Sequence, residues 1–163
     1  MEAEEIVATI VRSLKDGGKV LTFGVGGNAA TAIHFSAELS GKYEKFETPL
    51  PCICLSENPS VITAITNDFG WEHVFERQIQ ALGKKGDIVF ALSISTSGKY
   101  LVNALLKALS LGCQVILICG KSNLDFKSTE MQVYEFGTLE TPWVQEEQLI
   151  LIHKICEGVK SKF

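Results

Sequence analysis

Apolar positions along the chain fall into two kinds of run. In one they recur every three or four residues, as in "EEIVATIVRSLKD" (4–16), and this spacing predicts an amphipathic helix ended by Gly17 and Gly18. In the other they are short and nearly continuous. "KVLTFG" (19–24), "PCICL" (51–55), "DIVFALS" (87–93), "QVILICG" (114–120) and "MQVYEF" (131–136) predict five strands of this second kind. Helical spacing returns between them. A helix is expected from Asn28 to about Tyr43, and a short one over "NPSVITAIT" (58–66), with Asn58 as N-cap and Pro59 at its first position. Further helices are expected over "WEHVFERQIQAL" (71–82), closed by Gly83, and over "LVNALLKALSLG" (101–112), ended by Gly112. The last covers "TPWVQEEQLILIHKICEGVKSK" (141–162), with Thr141 as N-cap and Pro142 at the first helical position.

Strands apolar along their whole length, alternating with helices, predict an α/β domain. Its sheet is parallel, doubly wound and covered by helices on both faces. No linker, repeat or low-complexity stretch interrupts the pattern, so residues 1–163 are read as one domain. In such a sheet ligands bind beyond the carboxyl ends of the strands, where glycines and short polar side chains cluster.

Composition narrows this picture. Hydrophobic residues make up 46% and charged residues 21%, as in a globular chain. The net charge of −4 weighs against a nucleic-acid or anionic-membrane partner. No apolar run approaches the ~20 residues of a membrane span. The start, "MEAEEIVATIVRSL", is acidic and lacks the basic opening of a signal peptide, which predicts a cytoplasmic protein. The five cysteines form no C-x-x-C pair and sit in apolar runs, as reduced buried thiols do.

Two loops and two helices carry candidate chemistry. "GVGGN" follows the first strand, and its glycines let backbone N–H groups approach an anion at a helix start. It matches neither the dinucleotide fingerprint, since Ala29 stands where the last glycine belongs, nor a nucleotide P-loop. A tight ligand-free turn explains it equally well. "SISTSG" (93–98) follows the third strand. Its hydroxyls suit a phosphate, although a plain hydroxyl-rich helix cap has the same look. The two together suggest a phosphorylated small molecule. On the helices, His34 and Glu38 are four residues apart and share a face. Gln145 and His153 are eight apart and lie near one stripe. Taken alone, such residues are more often packing or surface side chains than ligands. Glu146 and Glu147 read as a solvated face, and His73 as a packing or surface residue.

"FGVGGNAATAIHFSAELSGKY", "TNDFGWEHVFERQIQALGKKGDIVFALS" and "VQEEQLILIH" closely resemble the phosphoheptose isomerases of the SIS (sugar isomerase) fold, over nearly the whole chain. The resemblance implies a flavodoxin-like three-layer sheet. It also implies conversion of sedoheptulose 7-phosphate to D-glycero-D-manno-heptose 7-phosphate through an enediol, supplying a heptose-containing lipopolysaccharide or capsule. Carried over residue by residue, it places a Zn²⁺ ion on His34, Glu38, Gln145 and His153. It makes Glu38 the base that moves a proton between C1 and C2, and His153 the acid that serves the two oxygens. Substrate contacts are implied for Val25, Gly26, Gly27, Asn28, Glu38, Asn67, Asp68, Ser93, Ser95, Thr96, Ser97 and Gln145. A homotetramer, with sites between subunits, is implied as well.

The chain departs from the family pattern in places. Val25 stands for the family's Asn and Asn28 for its Ser in the first loop, and Thr31 for a frequent Asp. The family's S-T-S-G-N-S falls either on Ser93 to Gly98, without gaps, or on Ser95 to Tyr100, by motif. These changes leave open a different sugar phosphate, or a non-catalytic sugar-phosphate- or protein-binding module related to those that bind a replication initiator. The retention of Glu38 and His153 favours the enzyme.

Overall fold

A computed structural model describes residues 3–44 and 48–163. Five strands form one sheet in the order β2-β1-β3-β4-β5: β1 (Val20–Phe23), β2 (Cys52–Cys54), β3 (Ile88–Ser95), β4 (Gln114–Lys121) and β5 (Met131–Glu135). Every pairing is parallel, with Val20 opposite both Cys52 and Ile88, and Val89 opposite Val115. Chain order reverses between β1 and β3, which makes the carboxyl ends of these two strands the switch point of the sheet.

Alternation along each strand divides the core in two. Val20, Ile88, Phe90 and Ile118 face one side, where α1 (Ala3–Lys15), α2 (Gly27–Ser40) and α6 (Thr141–Lys160) bring Ile10, Phe35 and Ile155. Leu21, Phe23, Val89 and Leu117 face the other, against α4 (Val74–Leu82) and α5 (Lys99–Ser110). α3 (Pro59–Phe69) buries none of its residues fully and leans only Ile62 and Ile65 on that second core. The five cysteines are buried, and Cys52, Cys54, Cys113 and Cys119 are free thiols. Burial pushes Cys52 and Cys119 up to about 12, and Cys54 and Cys113 up to about 11.

The strands and helices expected from the sequence are present, with shifted edges. α2 stops at Ser40 rather than near Tyr43, because Leu50 N–H takes the Leu39 carbonyl that the next helical turn would need. α3 runs on to Phe69 and so carries Asn67 and Asp68 in its last turn. The helix expected over 71–82 begins as a 3-10 turn, Trp71–His73, before α4. Asn58 caps α3 as expected, its side-chain oxygen accepting from Ser60 N and Val61 N at 3.1 and 3.2 Å. Thr141 is not the cap of α6: Val144 N–H donates to the Glu140 carbonyl at 3.0 Å, which makes Glu140 the cap and Thr141 the first helical residue. No helix links β4 to β5. No helix among the described residues is long and apolar enough to cross a membrane.

Candidate functional site

The loop after β1 reaches the switch point. Gly26 caps α2 at φ +62°, a conformation that favours glycine. Ser56, after β2, pins the loop by accepting from Gly24 N at 3.1 Å and donating to Gly24 O at 2.8 Å. The Gln145 amide packs directly against Gly27, where a methyl would displace it. That amide donates to Asn28 Oδ1 at 3.1 Å, which ties the start of α6 to the start of α2. Asn28 is buried, and its Nδ2 has no partner among the described residues. Val25, 37% exposed, offers the loop no side-chain donor.

The second loop follows β3. β3 continues through Ser95, so Ser93 lies inside the strand, buried, and its hydroxyl donates to Ser95 O at 2.6 Å. Thr96 is buried too, and its hydroxyl accepts from Asn123 N at 2.7 Å. Ser93 and Thr96 therefore shape the loop. Ser95 and Ser97 place their hydroxyls 3.1 Å apart at the exposed end of the loop, with α5 starting at Lys99. Gln148, which the sequence reading did not single out, anchors the strand ends beneath. It is fully buried and donates to Ser93 O at 2.9 Å and Ile118 O at 3.2 Å. Its signal was a polar residue on the apolar stripe of a helix.

Two turns along α2 from the loop, His34 and Glu38 share a face as their spacing required. His34 Nε2 lies 2.9 Å from Glu38 Oε1 and 3.5 Å from His153 Nε2 on α6. The two imidazoles meet edge-on, with ring centroids 5.1 Å apart. The Glu38 side chain is 19% exposed, and its Oε2 is buried without a partner among the described residues. Tyr43 sets its ring 6.1 Å from that of His153. Burial, with the charges of Glu44, Cys156, Glu157 and Glu38, raises the Tyr43 phenol above its usual value, so it stays protonated.

The structure thus brings together His34, Glu38 and His153, and separately Gly26, Gly27, Asn28 and Gln145. Gln145 faces Asn28 instead of the histidines. Asn67 and Asp68 are exposed, and the Asn67 amide donates to Asp68 Oδ1 at 2.9 Å rather than to another candidate residue. His73 pairs with Glu76 at 2.6 Å on a half-exposed surface. Among the described residues no three His, Cys, Asp or Glu side chains converge as a ready metal-holding group. Glu38, His34 and His153 form a chain through His34 rather than a ring around one point. Their donor types nonetheless suit zinc: two imidazole nitrogens facing each other, and a carboxylate oxygen with nothing else to bind.

A sequence profile of the SIS domain matches residues 2–120. The phosphoheptose isomerase of Aquifex aeolicus (strain VF5) is 37% identical over 96% of this chain and 82% of its own length. That of Campylobacter concisus (strain 13826) is 38% identical over 94% and 82%. The structure of a phosphoheptose isomerase from Francisella tularensis superposes with a TM-score of 0.92 at 28% identity, covering 98% of this chain and 85% of that one.

Proposed function

The chain belongs to the SIS-domain phosphoheptose isomerases, and from that membership we propose that it interconverts sedoheptulose 7-phosphate and D-glycero-D-manno-heptose 7-phosphate. The observation that carries this reading is the Glu38–His34–His153 chain, set on the same two helices whose first turns hold Asn28 and Gln145. The helical rise from Gly27 to His34 is about 10 Å, which leaves room for an extended sugar between a phosphate at the loops and a proton-transfer group farther along.

Backbone N–H groups at the start of α2, with the Ser95 and Ser97 hydroxyls, hold the phosphate. Glu38, whose Oε2 has no competing partner, takes a proton from C1 and returns it to C2. His153 moves the compensating proton from O1 to O2, so no proton is gained or lost. His34 links the two and holds Glu38 Oε1 in place. A zinc ion held by His34, Glu38 and His153 would supply Lewis-acid stabilisation of charge on the substrate oxygens.

A tetramer is proposed as well. The apolar face of α1 is covered within the chain, since Ile6 and Ile10 are fully buried. On the helices that carry the candidate residues, Ile33 of α2 and Leu149 and Ile150 of α6 are each between 38% and 48% exposed. Such a face beside the candidate site suits packing between subunits. Cytoplasmic residence and supply of a heptose-containing glycan complete the reading. NMR of sedoheptulose 7-phosphate turnover, with and without added zinc, tests the activity. Absence of turnover in both would leave the non-catalytic binding module as the better account. Light scattering tests the assembly, and a monomer mass at micromolar concentration would reject it.

A further inference from the structure

The two histidines of the site are held differently. His34 has a carboxylate partner, Glu38, which fixes its ring. His153 is within hydrogen-bonding range only of the other imidazole, and no carboxylate or carbonyl holds its second nitrogen among the described residues. A functional imidazole is normally oriented by a hydrogen bond on its far side. Here the remaining neighbour is an aromatic ring, Tyr43, with centroids 6.1 Å apart and planes inclined at 46°.

Tyr43 lies beyond the end of α2, in a segment that needs its own anchor. Lys160 provides one. It is 4% exposed, and its ammonium donates to Gly41 O at 3.4 Å and Thr48 O at 3.0 Å, the two sides of that segment. Gly41 is the cap of α2, so the cation also sits at the negative end of the helix dipole. His153 and Lys160 are seven residues, about two turns, apart on α6. One helix therefore carries both the imidazole and the cation that secures the segment packed against it.

We propose that Tyr43 is a positioning residue for His153: clamped through Lys160, its ring replaces the missing hydrogen bond and holds the imidazole toward His34. This rests on the isomerase reading for its effect on turnover, but not for its effect on the ring. The test compares Tyr43→Leu, Lys160→Met and the conservative Tyr43→Phe in the full chain. Steady-state kinetics with sedoheptulose 7-phosphate and NMR of the His153 ring in the metal-free protein are the readouts, with urea unfolding alongside. Tyr43→Leu is expected to lower kcat by about 10-fold or more, the range for losing an orienting partner, with KM within about twofold. It should also abolish the His34–His153 ring NOE. Lys160→Met should weaken the Tyr43–His153 NOE and lower kcat in the same sense, and Tyr43→Phe should restore both readouts. Unchanged kcat and an intact His34–His153 NOE in Tyr43→Leu would overturn the proposal. A Tyr43→Phe variant as impaired as Tyr43→Leu would overturn it too, because the hydroxyl rather than the ring would then matter. If the wild-type protein turns over no substrate, the isomerase reading fails, and the NOEs alone still decide the role of Tyr43.

Discussion

Replacing Glu38 by glutamine separates a catalytic from a structural role. The amide keeps the shape of the side chain and an oxygen that can accept from His34 Nε2, a contact of 2.9 Å. It puts an NH₂ where Oε2 now lies buried without a partner, so one unmatched buried polar atom replaces another. Stability should therefore change by no more than about 1 kcal/mol. The base, however, is gone. Loss of a general base costs at least ~100-fold, which corresponds to about 2.7 kcal/mol in the barrier. The assay follows sedoheptulose 7-phosphate by NMR in D₂O, reading both conversion and deuterium incorporation at C2, beside urea unfolding of the same samples. Turnover and deuterium uptake should fall together while the urea midpoint holds and calorimetric binding of the sugar phosphate survives. Wild-type turnover in Glu38→Gln would refute Glu38 as the base. A collapse of stability with the activity would show instead that the carboxylate is a structural support.

Three other outcomes follow from the geometry. Changing Ser95 and Ser97 together to alanine should weaken phosphate-ester binding by ~10-fold or more, since hydrogen bonds to a charged group are the stronger kind; unchanged calorimetric affinity would place the phosphate elsewhere. Gln148→Leu leaves the buried Ser93 and Ile118 carbonyls without their donor and should cost about 1–3 kcal/mol in urea unfolding, a prediction that an unshifted midpoint would defeat. The four raised thiols hold their protons more tightly in the folded state than in the unfolded one. Their stabilisation is complete below the ordinary thiol value of 9.0 and lost as pH rises through about 11 to 12. The urea midpoint should thus be flat with respect to these groups from pH 7 to 8 and lower at pH 10.5, with native thiols resisting alkylation at pH 8; rapid native labelling would contradict their burial.

Much of the molecule was legible from the chain because it depends on local periodicity. Strand runs that stay apolar on both faces determine a covered parallel sheet, and Asn58 with Pro59 determines a helix start. The i, i+4 spacing of His34 and Glu38 determines that they share a face whatever surrounds them. What local pattern does not encode is which partner each backbone or side-chain group meets. The end of α2 was set by Leu50 arriving from eleven residues away to take the Leu39 carbonyl. Ser93 was buried because β3 runs on past it and pairs it with Cys119 of β4. Gln145 joined Asn28 rather than the histidines because α2 and α6 start side by side at the switch point. Tyr43 meets His153 from beyond the end of α2, while Lys160, at the far end of the chain, bonds to the Gly41 and Thr48 carbonyls on either side of it. These contacts link residues far apart in sequence, so their formation depends on packing of the whole domain, which no window of the sequence contains.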